Sequence, residues 1–424
     1  MSVGVQIRIP ATYMRGGTSK GVFFKLSDLP KSAQVAGAAR DALLLRVIGS
    51  PDPYAQHIDG MGGASSSTSK VVIVSKSERP GHDVDYLFGQ VAIDQAVIDW
   101  SGNCGNLSAA VGAFAVHAGL VNTDRLSETE TETVVVRVWQ KNIEKTIIVQ
   151  VPCVKGVVQE TGAFELDGVT FPAAEIKVEF VNPVSERLPL FPTGNRVDTL
   201  NIPRDVLACG SLQATLINVG IPSIFVSATA LGYTGTESQA DINNDVDALK
   251  RLETIRAHGA LKMGLIQNIA EATRLQHTPK IVLVAPPVRY TSSRGKVVDA
   301  ADCDVCVRAL SMGKLHHAMM GTAAVAIGVA AAIPGTLVYQ TVVKHLDVNQ
   351  SGDKPDDVEP VEYQELNDDT YREVICGHPS GILKVGAVVQ QGGSKWDVRR
   401  VIMSRSARIL MEGWVRVPEN AVER

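Results

Sequence analysis

Two stretches of this chain, one in each half, are built of small and apolar residues on every face, and they constrain the fold more than anything else. The first runs Leu-Ser-Ala-Ala-Val-Gly-Ala-Phe-Ala-Val-His-Ala from Leu107, and the second runs Gly-Thr-Ala-Ala-Val-Ala-Ile-Gly-Val-Ala-Ala from Gly321. A helix that is apolar all round cannot lie on a surface and must be wrapped by other elements. Alanine and glycine let strands approach such a helix closely. One of these helices per half predicts two similar lobes, each a curved, mostly antiparallel sheet around a central helix.

Periodicity fills in the rest. Alternating or β-branched runs predict strands at 6–10, 71–75, 133–139, 146–151, 215–219, 224–226, 281–285 and 408–417. Helical spacing covers 33–48, 107–118, 245–261 and 316–332. Strands outnumber helices, which favours an α+β architecture over a doubly wound sheet. A chain of 424 residues suits two domains. Pro183, Pro189, Pro192 and Gly194 break any regular pattern and set the boundary there. The expected division is an N-terminal lobe of 1–185, completed by 400–424, and a C-terminal lobe of 186–399. An Asp-, Glu- and Pro-rich stretch at 344–369 reads as a solvated surface insertion.

Charge excludes several classes of partner. With 41 basic against 45 acidic residues and a net charge of −4, the chain has no footprint for nucleic acid and no polybasic stretch for an anionic membrane. Any positive potential that binds an anion must be local. The apolar stretch 319–333 is shorter than the roughly 20 residues of a membrane span. Six scattered cysteines and an N-terminus without a basic-then-apolar leader point to reduced thiols in a cytosolic or organelle-matrix protein, with the cytoplasm the expected place. Pairing of large apolar lobes makes a homo-oligomer an expectation as well.

Five segments carry residues suited to chemistry. Arg15, Gly16, Gly17, Thr18, Ser19 and Lys20 follow a strand, and the glycines turn backbone N–H groups outward where a carboxylate can be held. The spacing matches neither a P-loop nor a dinucleotide fingerprint, and a plain glycine turn is the bland reading. The run from Asp59 holds three glycines and then Ser65, Ser66, Ser67, Thr68 and Ser69 before Lys70, which opens a strand of valine and isoleucine. A lysine beside an apolar strand can lose enough solvent to become a usable proton acceptor; a solvated edge lysine is the alternative. Cys104, Gly105 and Asn106 open the first central helix, where the dipole and free N–H groups favour negative charge. A small buried cysteine would look the same.

The second half offers Ser311 and Met320, Gly321 and Thr322 ahead of its own central helix, and a glycine-bounded turn with His378, Ser380 and Gly381. His316 and His317 are adjacent, so on a helix they would diverge by about 100° and form no metal pair. Cys303 and Cys306 make a single C-x-x-C without a partner pair, which argues against zinc. No metal and no cofactor is expected.

These motifs resemble a known superfamily. Cys104-Gly105-Asn106 at a helix start is similar to the catalytic-cysteine motif of diaminopimelate epimerase, and Ala318 to Thr322 looks like that family's second motif with Met320 where the second cysteine would stand. Asn218-Val-Gly-Ile-Pro222 and the closing strand fit the same pattern. The loss of one thiol puts a two-cysteine racemase mechanism in doubt. The closer resemblance is to the PrpF family of 2-methylaconitate cis–trans isomerases. It is carried by the segments that begin at Arg8, Ile58, Ser67, Asp83, Asn103, Phe191, Ser311, Gly377 and Met403, which together span nearly the whole chain.

That resemblance implies a diaminopimelate-epimerase-like fold with the active site in the cleft between its lobes. It implies Lys70 as the proton-transferring residue and Cys104 beside a small unsaturated tricarboxylate. The loops of Arg15 to Ser19, Ser65 to Ser69 and His378 to Gly381, with Gly105, Asn106, Ser311, Met320, Gly321 and Thr322, would hold that substrate. Sister reactions on the same fold compete with this assignment: 4-oxalomesaconate tautomerisation, and methylitaconate or trans-aconitate isomerisation. A rival of another class is a non-catalytic accessory to an iron–sulfur, aconitase-like dehydratase, which would need the anion loops but neither Lys70 nor Cys104.

Overall fold

The computed structural model describes residues 5–122, 131–186, 188–343, 370–393 and 395–419, so the insertion expected at 344–369 lies outside the described residues. The chain divides into two compact units, Met1–Glu179 with Ser404–Arg424, and Phe180–Met403.

In the first unit β1 (Gln6–Gly16) and β2 (Ser19–Lys25) form a hairpin in which Gly16 faces Ser19. β2 lies parallel to β3 (Lys70–Lys76), which is antiparallel to β4 (Val84–Val91). The short β5 (Ile98–Asp99) also pairs with β4. β4 runs parallel to β6 (Thr131–Gln140), and β6 is antiparallel to β7 (Lys145–Val154), which ends on β8 (Val157–Val158). The last strand, β21 (Ala407–Pro418), returns to pair antiparallel with β1. Between β2 and β3 come α1 (Lys31–Gln34) and α2 (Ala38–Ile48). The central helix α3 (Gly105–His117) is buried from Gly105 to Val116, and β1, β2, β6, β7, β8 and β21 all pack on it. The other face of the sheet carries α2, whose Leu43, Leu44, Val47 and Ile48 pack with Val22, Phe24, Val71 and Ile73.

The second unit repeats this plan. β9 (Ile176–Val181) crosses the boundary, and β10 (Asp198–Asn201) then pairs antiparallel with β11 (Ser211–Val219). β11 forms a hairpin with β12 (Ile221–Ser227), and β12 is parallel to β13 (Lys280–Ala285). A small ribbon of β14 (Tyr290–Thr291) and β15 (Val297–Val298) precedes β16 (Val305–Ser311), which is antiparallel to β13. β17 (Lys314–Leu315) folds back on β16. β16 is parallel to β18 (Thr370–His378), followed by antiparallel β19 (Gly381–Gly392) and β20 (Lys395–Arg405). α4 (Gln239–Asn243) and α5 (Val246–Lys262) sit between β12 and β13, as α1 and α2 sit between β2 and β3. α6 (Gly321–Ala332) is the second central helix and packs on β11, β12, β18 and β19. From β21 to β7 and from β10 to β19, the strand pairings follow one sequence of polarities: antiparallel twice, parallel, antiparallel, parallel, antiparallel.

Two helix boundaries differ from the periodic reading. The pattern over 33–48 breaks at Val35 and Gly37, and Gly37 takes φ +146, so α2 starts only at Ala38. α6 begins at Gly321 and not at His316, because the His316 ring bonds locally to the Ala318 backbone and Met320 is extended. Among the described residues, no single helix is long and apolar enough to cross a membrane.

Gly112 shows how tightly the wrapping is drawn. A Cβ there would lie 2.5 Å from Val149 Cγ1 and 2.7 Å from Val149 Cβ on β7, a stiff β-branched neighbour. The counterpart Gly328 would place its Cβ 3.1 Å from Val385 Cγ2 on β19. Gly112→Ala is therefore expected to destabilise by about 1–2 kcal/mol, because overpacking outweighs the gain in helix propensity. Gly328→Ala should cost less than Gly112→Ala. Chemical denaturation of both variants checks the order, and equal effects would contradict it.

Candidate active site

In the first unit the residues singled out by sequence converge on the N-terminus of α3. Cys104 is the helix N-cap, buried and extended at φ −111 and ψ 97; its side chain makes no capping bond, and its carbonyl accepts the Ser108 N–H at 3.0 Å. The β1–β2 turn rests against this first helical turn. Gly17 has φ +51, and a Cβ on it would come within 2.6 Å of Asn106 Oδ1, so only glycine fits. Asn106 Nδ2 donates to Thr18 Oγ1 at 2.9 Å. Arg15 Nη1 donates to the carbonyls of Gly17 and Ser406, each at 3.0 Å, so this nitrogen fastens the turn to the start of β21.

The serine loop joins the same cluster. Lys20 N–H donates to Ser67 O at 2.9 Å. Ser65 Oγ lies 2.7 Å from Thr68 Oγ1 and 3.0 Å from Ser67 Oγ, so these hydroxyls organise one another. Ser66 is half-buried, and Ser69 Oγ lies 3.3 Å from His57 Nδ1.

Lys70 is the first residue of β3 and is 5% exposed. Its Nζ donates to Gln90 Oε1, directly opposite on β4, and lies 5.2 Å from the Phe88 ring centroid. Gln90 Nε2 donates to Ser69 O at 3.1 Å, which turns the amide oxygen toward the lysine. Burial lowers the Lys70 pKa from the ordinary lysine value, and the proximity of Cys104 opposes that shift. Cys104 also interacts electrostatically with Tyr86 and Arg405. Burial pushes the Tyr86 phenol well up, so it remains a donor, 3.4 Å from Cys104 O. The arrangement can take up and return a proton at Lys70 next to a helix terminus that stabilises negative charge.

In the second unit, Ser380 Oγ donates to His317 O at 2.5 Å and Ser380 N–H to His378 Nδ1 at 3.2 Å. Tyr290 Oη donates to the carbonyls of His378 and Gly381 at 2.8 and 2.7 Å. The 378–381 turn is thus fixed to the segment that leads into Met320, the N-cap of α6, with Gly321 and Thr322 in its buried first turn. Ser311 accepts from Lys280 Nζ at 2.8 Å.

Sequence reasoning missed three residues. Gln90 emerges only from strand register. Arg405 lies in a segment already noted for its resemblance, but its contact with Asn106 spans 299 positions. Lys280 opens β13 as Lys70 opens β3, and the repeat in strand order was the signal that could have found it. Among the described residues, no group of three or more His, Cys, Asp or Glu is arranged to hold a metal ion. A surface cleft of about 530 Å³ lined by Arg46, Ser50, Asp52 and Tyr54 contains none of the candidate site residues.

A repeated unit of curved sheet around a buried helix, with a buried lysine near the helix N-terminus, fits an isomerase of the diaminopimelate-epimerase-like fold. The chain belongs to the PrpF family, whose family model, described as PrpF protein, matches residues 6–351 and 361–418. It is 61% identical over 418 residues to the 2-methyl-aconitate isomerase of Shewanella oneidensis, covering 98% of each chain. It is 60% identical over 420 residues to the 2-methyl-aconitate isomerase of Cupriavidus necator, again covering 98% of each. The crystal structure of a methylitaconate-delta-isomerase superposes with a TM-score of 0.70 at 33% identity, covering 98% of this chain and 97% of that one.

Lys70→Met should stabilise the fold, because it removes a buried ammonium. A lowered folded-state pKa places the wild-type penalty in full below that pKa, and the penalty fades as pH rises from there towards the unfolded lysine value. The stability gain of Lys70→Met, measured by denaturation across pH, should therefore shrink at alkaline pH. A gain that grows with pH would contradict this.

Proposed function

We propose that this protein is a cytoplasmic isomerase of a small unsaturated tricarboxylate, with 2-methylaconitate cis–trans isomerisation in propionate breakdown as its reaction. The observation that carries the reading is Lys70: a lysine buried at the head of a strand, held by a neutral amide and an aromatic face, and shifted toward its basic form. The 60–61% identity to proteins named for that substrate favours it over the methylitaconate reaction named for a 33%-identical structure.

The neutral amine of Lys70 removes a proton from a carbon attached to the double bond and becomes an ammonium. The electron pair left on that carbon delocalises through the double bond into the conjugated carboxylate. The former double bond gains single-bond character and rotates. Lys70 then returns the proton to the same carbon, which regenerates the amine and the double bond in the other geometry. Return to a different carbon would move the double bond instead, as the sister reactions require. The enolate is the costly species, and the N–H groups at the start of α3 are preorganised donors for it. Cys104 sits at that helix terminus, where it orients the substrate or relays the proton. An accessory role beside an aconitase-like dehydratase would leave the buried lysine without a task. Self-association of the chain fits either role.

Proton NMR in deuterated water with 2-methylaconitate, and separately with trans-aconitate, tests the reading. Deuterium should enter the methyl or methylene position as the isomers interconvert, faster with 2-methylaconitate. Lys70→Met should lower kcat by about 10²–10⁴-fold. Wild-type protein that exchanges neither substrate would overturn the isomerase reading.

A further inference from the structure

The fold leaves one buried cation at the N-terminus of α3 with a nitrogen unspent. Arg405 is 1% exposed. Its Nε donates to Asn106 Oδ1 at 3.0 Å, and Nη1 donates to Ser404 O at 2.9 Å. Nη2 is buried and has no partner among the described residues. The side chain is packed against the β1–β2 turn, since a Cβ on Gly17 would lie 3.0 Å from Arg405 Cδ. A second unsatisfied group stands just ahead of the same helix start. Asn103, next to the N-cap Cys104 and 1% exposed, has neither its Oδ1 nor its Nδ2 bonded among the described residues.

Buried polar groups are normally satisfied, and a buried guanidinium more than most. Asn106 and Ser404 present neutral oxygens to Arg405, and no described carboxylate pairs with it, so its positive charge is solvated by the fold without being neutralised. Burial draws its pKa down to about 10, still charged at neutral pH, with Cys104 the opposing influence. The unspent Nη2 holds its N–H donors in the fixed plane of a guanidinium already tied down through Nε and Nη1, a direction that a freely rotating lysine ammonium does not fix.

We propose that Arg405 is the charged anchor for one carboxylate of the substrate, received through Nη2 at the N-terminus of α3, with the Asn103 amide as a neighbouring donor. This rests on the tricarboxylate reading above and gives Arg405 a share of the work different from that of Lys70. The lysine moves a proton, and the arginine fixes which end of the substrate faces it. The Arg405–Asn106–Thr18 chain of hydrogen bonds then ties carboxylate recognition to the glycine turn. Arg405→Lys keeps the charge and loses the planar fork, so it separates geometry from electrostatics.

Calorimetric titration with tricarballylate, a saturated tricarboxylate that cannot react, tests the anchor apart from catalysis. Wild type and Lys70→Met should bind it, Arg405→Gln about 30-fold or more weakly, and Arg405→Lys in between. With 2-methylaconitate, Arg405→Lys should raise KM more than it lowers kcat. Should Arg405→Gln fail to fold, the guanidinium ¹⁵N resonances of wild type, assigned by comparison with Arg405→Lys, decide the matter: those of Arg405 should shift on saturation with tricarballylate. Undiminished binding by Arg405→Gln, an unmoved Arg405 resonance, or no saturable binding by wild type would overturn the proposal. Arg405-dependent binding by a wild type that catalyses no exchange would leave the anchor standing and remove the isomerase reading.

Discussion

Burial of a helix that has no polar face is the constraint from which the remaining structure follows. α3 must be enclosed, so β1, β2, β6, β7, β8 and β21 close around it, and its alanines and Gly112 set how near they come. Enclosure leaves only the helix ends for polar contacts. The N-terminal N–H groups, which no helical carbonyl can satisfy, therefore become the polar focus of an otherwise apolar unit. The glycine turn, the serine loop and the closing strand all reach that end. α6 repeats the arrangement in the second unit, with Met320 in the place of Cys104.

Electrostatics at that focus run against the chain as a whole. The net charge is −4, yet Lys70 and Arg405 are both buried at the start of α3 and held by amide and carbonyl oxygens, not by carboxylates. Neutral partners have two consequences. They leave the site's charge available to an incoming polyanion, and they let desolvation lower the lysine pKa where a carboxylate would have raised it. A base and an anion receptor can then coexist in one site. Arg15 contributes differently, since its Nη1 bonds the backbone carbonyls of Gly17 and Ser406 and the Ser406 hydroxyl and so fixes the turn.

The central helices, the α+β class and the loops around Lys70 and Cys104 were legible because each is written in a continuous stretch of sequence. All-round apolarity marks α3 and α6, and helical spacing over 245–261 marks α5, whose N-cap proves to be Asp245. Boundaries were less legible where one residue decided them: Gly37 splits the pattern over 33–48, and the His316 side chain holds its own segment out of the helix. Pairing across the sheet was not legible at all. Gln90 faces Lys70 only through the β3–β4 register, and Arg405 meets Asn106 because the final strand returns to β1. Neither relation leaves a trace in local composition. The likeness of Lys280 to Lys70 was within reach, since each lysine opens an apolar strand, but it takes the strand order of both units to see it.

The most direct measurement is the titration of Lys70 itself, by NMR of protein carrying ¹³C-labelled lysine, with the signal assigned by comparison with Lys70→Met. A buried lysine held by an amide and an aromatic ring should titrate below the ordinary value near 10.5. A midpoint at or above that value would mean that Lys70 keeps its proton too tightly to serve as the base, and the proton-transfer reading would fall with it.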